Sequence, residues 1–333
     1  MTGGERITIA YSTSLRGASH ESKGTPCQDS SGSFQGRDYT LVVVSDGHGG
    51  NRHFRSDVGS RLAVEATRVV VDRCMSDHGF RAAITSSPEE TMFRLTNAVI
   101  TEWVAMVEAY DSSERLTESE LEHITGNNIT EGDTIKRYGA TLLAGVLSDD
   151  IVFGFQIGDG EFMVMTEPDG CWGVMPVDDD CFLNNTTSIC GSDASGRFRH
   201  FTMFQSGVIH AGSPTFRHYD ADPLKVGSII VCTDGLSTSF NSYESLCRYC
   251  EAAMEAIRSD EGRQSLGENL AIRSRSNMED DVSLSMAVRD LPAGGRSISC
   301  DRCRWFKISR RAHAKRKKRR QIARKKKTKN RRG

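Results

Sequence analysis

The sequence predicts an α+β fold with antiparallel sheets. Short apolar runs that stop at turn residues indicate β-strands, and apolar residues spaced three and four apart indicate helices. Their order is strands, a helix pair, more strands, one helix and a last strand, which differs from the regular alternation of βαβ folds. The sequence contains no internal repeat with a period of about 20 to 50 residues, so repeat architectures are excluded.

The chain begins with two predicted strands and a helix. Residues 7–11 are short and β-prone, and the apolar run at 39–44 stops at a turn, as a buried strand does. Between them, residues 12–37 are rich in Gly and Ser and are predicted to be a polar loop. The helix that follows is indicated by apolar positions at helical spacing, Val58, Leu62, Ala66, Val69 and Val70.

A second helix has a clear start signal. Ser87 can cap it, Pro88 suits the first helical position, and Glu90 stands three residues after Ser87, as in a capping box. Its apolar stripe consists of Met92, Leu95, Val99, Trp103, Met106 and Tyr110. Residues 111–136 are polar and are predicted to form a surface excursion with one short helix.

The second half of the chain is predicted to be mostly β. Strands are expected at residues 139–147, 151–157, 162–166, 229–232 and 282–288, with a hairpin turn at 148–150. Residues 167–226 have little periodicity and are predicted to be a long, irregular surface insertion. A third helix is indicated by the apolar positions Tyr243, Leu246, Cys250, Met254 and Ile257.

Charge divides the chain into an acidic body and a basic tail. Of its 43 Lys and Arg residues, 17 lie in residues 304–333, and none of its 44 Asp and Glu residues does. Residues 1–303 therefore carry 26 basic and 44 acidic side chains, a formal charge of −18. We expect residues 1–290 to form one domain and the basic residues 291–333 to be disordered in isolation.

Composition also excludes several classes of protein. No apolar run is long enough to cross a bilayer, and the first residues lack the features of a signal peptide, so a cytoplasmic protein is expected. The ten cysteines are scattered and are expected to be buried thiols without structural disulfides. Cys247 and Cys250 share a zinc-ligand spacing with Cys300 and Cys303, but Cys250 falls on an apolar helix face, so a shared zinc site is not expected.

Carboxylates stand at the ends of four predicted strands. Asp46 and Asp234 each follow an apolar strand and precede a glycine, Asp159 interrupts a third apolar stretch, and Asp280 precedes the last strand. Asp-Gly is a common turn dipeptide, so each pair alone predicts only a turn. Their joint placement favours an acidic cluster at one sheet edge, which needs protons or cations to offset its repulsion. Such a site suits Mg²⁺ or Mn²⁺.

These residues carry a resemblance to a known family. The segments Val43-Val44-Ser45-Asp46-Gly47-His48-Gly49-Gly50, Gly158-Asp159, Thr233-Asp234-Gly235 and Asp280-Asp281 resemble, in order and spacing, the metal-dependent Ser/Thr protein phosphatases of the protein phosphatase 2C type. The resemblance covers about residues 8–289. It implies a four-layer α-β-β-α sandwich, with two antiparallel sheets flanked by helix pairs, and the hydrolysis of phosphoserine and phosphothreonine in proteins.

The resemblance also implies a set of site residues. Asp46 would bridge two Mn²⁺ or Mg²⁺ ions, the carbonyl of Gly47 would bind one of them, and Asp234 and Asp280 would hold the second. Asp159 matches the position that binds a third, weaker ion in some relatives. His48 would act as the general acid that protonates the leaving oxygen while water attacks phosphorus. Asp29, which the family's N-terminal motif retains, is assigned to the catalytic residues.

The sequence departs from the family pattern near residue 24. Gly24 stands where the family has an arginine that binds phosphate, and Gln28 replaces a glutamate, as in a bacterial-type branch of the family. Loss of a guanidinium should weaken phosphate binding. Three nearby side chains are candidates to replace it, and the sequence does not choose among them: His20, Lys23 and Arg16.

Several partners and two alternative functions remain open. A phosphoprotein is the expected substrate, and the protein is expected to be a monomer. The basic tail suits nucleic acid, an anionic membrane surface or an acidic protein, or serves only for solubility. One alternative is a pseudophosphatase, a module that binds phosphorylated partners without hydrolysing them and is tethered by its tail. The other is a regulator tethered to nucleic acid, in which the tail dominates. Retention of all four aspartates favours the enzyme.

Overall fold

The fold is described from a computed structural model. It covers residues 8–126, 131–166, 169–178, 186–208, 210, 212–275 and 279–289. The predicted basic tail lies outside these residues, as do Cys300 and Cys303. Among the residues covered, no helix has the length and apolar character needed to cross a membrane.

Eleven strands and nine α-helices follow one another along the described chain. The strands are β1 (Thr8–Leu15), β2 (Asp29–Gln35), β3 (Tyr39–Asp46), β4 (Leu142–Ser148), β5 (Val152–Ile157), β6 (Glu161–Thr166), β7 (Gly170–Gly173), β8 (Arg199–Phe204), β9 (Phe216–Asp220), β10 (Val226–Cys232) and β11 (Val282–Arg289). The helices are α1 (Ala18–Lys23), α2 (Ser56–Met75), α3 (His78–Ser86), α4 (Pro88–Ser113), α5 (Glu118–Gly126), α6 (Ala194–Arg197), α7 (Asp234–Ser237), α8 (Tyr243–Ala256) and α9 (Asp260–Arg275).

The strands form two sheets. One has the order β1-β11-β10-β6-β7, and the other has the order β2-β3-β4-β5-β8-β9. Every pair is antiparallel except β8 with β9, which run parallel. The predicted fold class is thus confirmed, with one parallel pair at the edge of the larger sheet.

Burial on both faces explains why β3 is an uninterrupted apolar run. Its side chains alternate between the two faces of the sheet, because successive residues in a strand point in opposite directions. Val42 and Val44 pack in a core with residues of the other sheet, whereas Leu41 and Val43 pack in a second core with α2 and α4. Helices α8 and α9 contact the smaller sheet. The layers are therefore α-β-β-α, as the resemblance implied.

The predicted polar loop over residues 12–37 is wrong, because it contains the end of β1, α1 and β2. Strand β2 is rich in serine, and its hydroxyls bond to those of neighbouring elements. Ser31 accepts from Ser14 of β1 at 2.9 Å, and Ser30 lies 3.0 Å from Ser60 of α2. These short polar side chains fill the space that apolar residues usually fill, so the strand leaves no apolar signal.

The predicted irregular insertion over residues 167–226 is also wrong. It contains β7, α6, β8 and β9, and β8 is buried throughout. Three of its buried side chains are polar. Arg199 donates to the carbonyl of Pro176 at 2.9 Å, and His200 lies 3.2 Å from the hydroxyl of Thr96. Because these partners satisfy the polar groups inside the core, the strand does not show apolar alternation.

Five helices were missed, and one cap differs. Besides α1 and α6, sequence reasoning did not find α3, α7 or α9. Helix α4 begins at Pro88, as predicted, but the side chain of Ser87 makes no capping hydrogen bond. Ser87 also ends α3, and its carbonyl accepts from both the backbone and the hydroxyl of Thr91. The tight junction between the two helices therefore replaces the predicted capping box.

Candidate active site

The four strand-end aspartates line a single pocket of about 480 Å³. Asp46 ends β3, Asp234 follows β10, Asp159 lies in the turn between β5 and β6, and Asp280 precedes β11. The same pocket is lined by His20, Gly47, His48, His53, Thr141 and Ser188. The two sheets thus bring together acidic residues from positions 46 to 280 of the chain.

Backbone contacts fix the position of Asp46. Its N–H donates to Oγ1 of Thr141 at 2.9 Å, and the N–H of Thr141 donates to the carbonyl of Asp46 at 2.8 Å. A Cβ on Gly47 would lie 2.6 Å from the carbonyl oxygen of Ser56 and 2.7 Å from that of Gln28. Only glycine therefore allows the chain to turn so closely after Asp46.

A second close approach brings Asp234 towards Asp280. Asp234 begins α7 directly after β10, and β10 pairs with β11, which starts two residues after Asp280. A Cβ on Gly235 would lie only 1.9 Å from the carbonyl oxygen of Asp281. The glycine after Asp234 is therefore needed for packing, in addition to forming the turn.

The turn that carries Asp159 is held from several sides. Gly158 has a φ of +99°, a conformation that other residues rarely adopt. Its N–H donates to Oγ1 of Thr187 at 2.9 Å, and its carbonyl accepts from Nη2 of Arg199 at 2.5 Å and from Nε2 of Gln156 at 3.2 Å. Strand β8, which sequence reasoning missed, therefore anchors this side of the pocket through Arg199.

The acidic cluster disfavours its own ionisation. Burial raises the pKa of Asp46 well above its usual value, and the nearby carboxylates of Asp29 and Asp234 raise it further. Burial, followed by the charge of Asp234, raises the pKa of Asp280 to about 6. Both directions reflect negative charges brought together with little solvation. Divalent cations in the pocket would reverse this effect.

The arrangement of donors fits hydrated divalent cations. Among the described residues, no three His, Cys, Asp or Glu side chains form a group that could hold one metal ion on its own. The carboxylates are instead spread around the pocket. Mg²⁺ and similar hard ions bind through one or two carboxylates and keep several waters, whereas structural zinc needs a closed protein ligand set. The spread oxygen donors therefore suit Mg²⁺ or Mn²⁺.

Asp29 lies behind the acidic cluster and is not among the residues that line the pocket. It pairs across the sheet with Asp46, and its Oδ2 accepts from the hydroxyl of Thr233 at 2.7 Å. Burial and the charge of Asp281 raise the pKa of Asp29 well above its usual value. Its carboxyl group thus ties β2 to the residue immediately before Asp234.

Two histidines form one wall of the pocket. The rings of His48 and His53 meet edge to face, with their centroids 5.0 Å apart. Burial, followed by the charge of the neighbouring His53, lowers the pKa of His48 to about 4. Burial also lowers the pKa of His53. Both rings are therefore neutral near pH 7 while the pocket contains no added negative charge.

The pKa of a third histidine, His20, is shifted in the opposite direction. Nδ1 of His20 lies 2.8 Å from Oδ2 of Asp281. This contact is an ion pair when the ring of His20 is protonated. The Asp281 carboxylate raises the pKa of His20. Burial acts to raise the pKa of Asp281, but His20 and the backbone N–H groups of Gly17 and Gln28, each 2.6 Å away, outweigh it and lower that pKa.

The other phosphate-binding candidates lie elsewhere. Arg16 donates from Nη2 to the carbonyl of His20 at 3.0 Å, and Lys23 is exposed in the last turn of α1. Gly24 follows this helix with a φ of +68°, and a Cβ there would meet no atom within 4 Å. Unlike His20, none of these three residues lines the pocket.

Sequence reasoning missed His53 and gave Asp281 no role of its own. His53 has no motif of its own, because it reaches the pocket through the loop between β3 and α2. Asp281 was visible in the sequence as the second residue of the Asp280-Asp281 pair. Its function as the partner of His20 depends on a contact between residues 261 positions apart, which no local pattern reveals.

Comparisons with known proteins identify the family of this chain. The family model described as protein phosphatase 2C matches residues 16–271. The fold is similar to that of the Ser/Thr phosphatase PstP/Ppp of Mycobacterium tuberculosis, with a TM-score of 0.50, 16% identity, and coverage of 85% of this chain and 98% of that one. No curated protein matches the sequence.

Two further solved structures are similar in fold. A bacterial serine phosphatase gives a TM-score of 0.50 at 12% identity, covering 86% of this chain and all of that one. The catalytic domain of PstP, described as a complex with two manganese ions, gives a TM-score of 0.49 at 18% identity, covering 85% of this chain and 99% of that one. The family match extends over most of the chain, from before Asp29 into α9. The chain therefore belongs to the protein phosphatase 2C family of Ser/Thr protein phosphatases, which are hydrolases.

Proposed function

We propose that the protein hydrolyses phosphoserine and phosphothreonine in proteins with the help of Mn²⁺ or Mg²⁺. The observation that carries this proposal is the set of four aspartates around one pocket, where burial and the neighbouring carboxylates raise the pKa of Asp46 and Asp280. A protein that only binds its partners gains nothing from such a cluster, because the repulsion between the carboxylates lowers its stability unless cations occupy the pocket.

The proposed metal ligands are the pocket carboxylates and one carbonyl. Two ions would be held by Asp46, the carbonyl of Gly47, Asp234 and Asp280, and Asp159 would hold a third. Bound ions of this kind supply an activated water and offset the charge that develops on the phosphoryl oxygens. Asp29 would orient Thr233 and so keep the turn at Asp234 in place.

We assign proton donation to His48. In the reaction the ester P–O bond breaks, the oxygen of water bonds to phosphorus, and the leaving Ser or Thr oxygen takes a proton from His48. The attacking water gives up a proton that restores the histidine, so one ester and one water yield an alcohol and inorganic phosphate. A bound phosphate ester brings negative charge close to His48, which counteracts the effect of burial on its pKa.

We assign phosphate binding to His20. It lines the pocket, and its pairing with Asp281 favours the cationic form of the ring. An imidazolium can donate from Nε2 while Nδ1 remains with Asp281. It would then supply part of the charge that the family's arginine supplies elsewhere. Arg16 and Lys23 are the less favoured candidates, because neither lines the pocket.

We also propose how the rest of the chain is organised. Residues 1–290 would form the phosphatase domain of a cytoplasmic, monomeric protein, and residues 291–333 would be a separate basic tail. The tail carries 17 Lys and Arg residues within its last 30 positions, which suits docking onto an anionic partner. Nucleic acid, anionic membrane and acidic protein remain the candidate partners.

The test is hydrolysis of a phosphothreonine peptide in the presence of Mn²⁺. We expect turnover that excess chelator abolishes and that Asp234→Ala abolishes. Asp260→Ala is the matched control, because Asp260 is exposed and lies outside the pocket. A folded protein that binds Mn²⁺ and phosphopeptide but shows no turnover would instead identify the pseudophosphatase, the alternative suggested by Gly24 and Gln28.

A further inference from the structure

His53 lies in the wall of the pocket, in direct contact with the proposed proton donor. Its ring meets that of His48 at an interplanar angle of 63°, with 5.0 Å between centroids. Edge-to-face contacts at this distance have a preferred geometry, so each ring restricts the orientation of the other. The orientation of His48 therefore depends on how firmly His53 is held.

His53 is held firmly. Its Nδ1 lies 2.5 Å from the carbonyl oxygen of Lys136, so Nδ1 carries the proton and donates to that oxygen. Its backbone N–H donates to the carbonyl of Gly50 at 2.8 Å. A Cβ on Gly139 would lie 2.4 Å from Nδ1, so the ring packs directly on the glycine backbone. One hydrogen bond and a close backbone contact therefore fix the ring, and a second hydrogen bond fixes the main chain that carries it.

The ring of His48 has weaker anchors of its own. Its backbone N–H donates to the carbonyl of Gly139 at 3.0 Å, which fixes the main chain. Within the described part of the chain, no hydrogen bond to either ring nitrogen of His48 is present. A general acid must be aimed at the leaving oxygen, and in many enzymes a third group orients it. Here the adjacent ring of His53 is the group in position to do so.

We propose that His53 is a positioning residue that orients the ring of His48 for proton donation to the leaving oxygen. This inference rests on the proposed function. Lys136 and Gly139 fix His53, and the edge-to-face contact passes that constraint on to His48. The substrate oxygen accepts its proton from His48, so His53 acts through its neighbour without forming a bond to substrate.

The role predicts an effect that depends on the leaving group. A serine or threonine alkoxide is a poor leaving group and needs a proton, whereas p-nitrophenolate leaves readily without one. If the ring of His48 is wrongly oriented, hydrolysis of a phosphoserine peptide should therefore be slower, whereas hydrolysis of p-nitrophenyl phosphate should be unaffected. A general disturbance of the pocket or of metal binding should slow both reactions alike.

The experiment compares His53→Asn with the wild type, using both substrates and saturating Mn²⁺. Asparagine keeps an N–H donor near the carbonyl of Lys136 and removes the ring that contacts His48. We expect kcat on the phosphoserine peptide to fall about tenfold, with less than a twofold change on p-nitrophenyl phosphate. His78→Asn, in an exposed histidine of α3, is the matched control and should change neither rate.

A double-mutant cycle completes the test. If His53 acts through His48, then His53→Asn should have little further effect on phosphoserine hydrolysis in a His48→Ala background. Equal losses on the two substrates, or full additivity with His48→Ala, would overturn the inference. A wild-type protein without turnover on either substrate would instead contradict the proposed function, so the two failures are distinguishable.

Discussion

His20 and His48 line the same pocket but have opposite electrostatic properties. A carboxylate partner, Asp281, raises the pKa of His20. Burial without such a partner lowers the pKa of His48 to about 4. One side of the pocket therefore favours a cationic ring and the other favours a neutral one. The residue type alone does not determine the role, because the neighbouring groups decide whether a histidine binds an anion or transfers a proton.

The largest expected difference between the two histidines is kinetic. We expect His48→Ala to lower kcat on a phosphothreonine peptide about 100-fold, because proton donation acts in the transition state. We expect His20→Ala mainly to raise KM, by about tenfold, because a phosphate contact is present in both the bound substrate and the transition state. Steady-state kinetics on both variants measures the contrast, and equal effects on kcat and KM in the two would contradict it.

Removal of the Asp281 carboxylate should make His20 resemble His48. Asp281→Asn takes away the ion-pair partner and replaces one acceptor oxygen, near the N–H groups of Gly17 and Gln28, with a donor. We expect a loss of about 3 kcal/mol in the free energy of unfolding and an increase in KM. Urea denaturation monitors the first and kinetics the second. A variant of wild-type stability would show that these contacts contribute little.

The raised pKa of Asp280 should make the pH dependence of stability sensitive to metal. The pKa of Asp280 rises from 3.8 to about 6 on folding, so the folded chain binds more protons than the unfolded chain between these values. Without metal, the contribution of Asp280 to the free energy of unfolding should therefore fall by about 2 kcal/mol as the pH rises from 4 to 6. The lowered pKa of His48 acts in the opposite direction over the same range, so the Asp280 contribution is read from the difference between the profiles with and without Mn²⁺. Mn²⁺ should suppress this decline. Thermal unfolding with and without Mn²⁺ tests it, and a metal-independent profile would contradict it.

The smallest expected effect concerns the position where the family has its arginine. Gly24 is exposed and has a φ of +68°, so Gly24→Arg should cost about 1 kcal/mol in the free energy of unfolding. Because Gly24 does not line the pocket, the new guanidinium should leave KM for a phosphopeptide unchanged. A marked fall in KM would mean that the arginine still reaches the phosphate from this position, and that His20 has not replaced it.

The sequence predicted the fold class and the acidic residues of the pocket because both leave local signals. Apolar strands such as β3 and β10 stop at an Asp-Gly pair, and this pattern is visible without any tertiary contact. Strands β2 and β8 could not be predicted in the same way, because serine hydroxyls and a buried arginine take the place of apolar side chains. Their polar groups have partners only after the chain has folded.

The pairing of His20 and the contact of His53 lie beyond local patterns for a similar reason. His20 gains its partner from the start of the last strand, and His53 gains its anchor from residues 83 positions later in the chain. Spacing along the sequence carries no information about such contacts. The sequence could therefore name His20 as one of three candidates, whereas selecting it required the arrangement in space.

The pairing of β1 with β11 has a consequence for folding during synthesis. Gly17 and Asp281 are 264 residues apart, yet the N–H of one donates to the carboxylate of the other beside the pocket. While the chain is being translated, β1 has no partner strand until Val282–Arg289 has emerged from the ribosome. A chain that ends before Asp280 lacks both the partner strand of β1 and one of the pocket carboxylates, so we expect it to have no phosphatase activity.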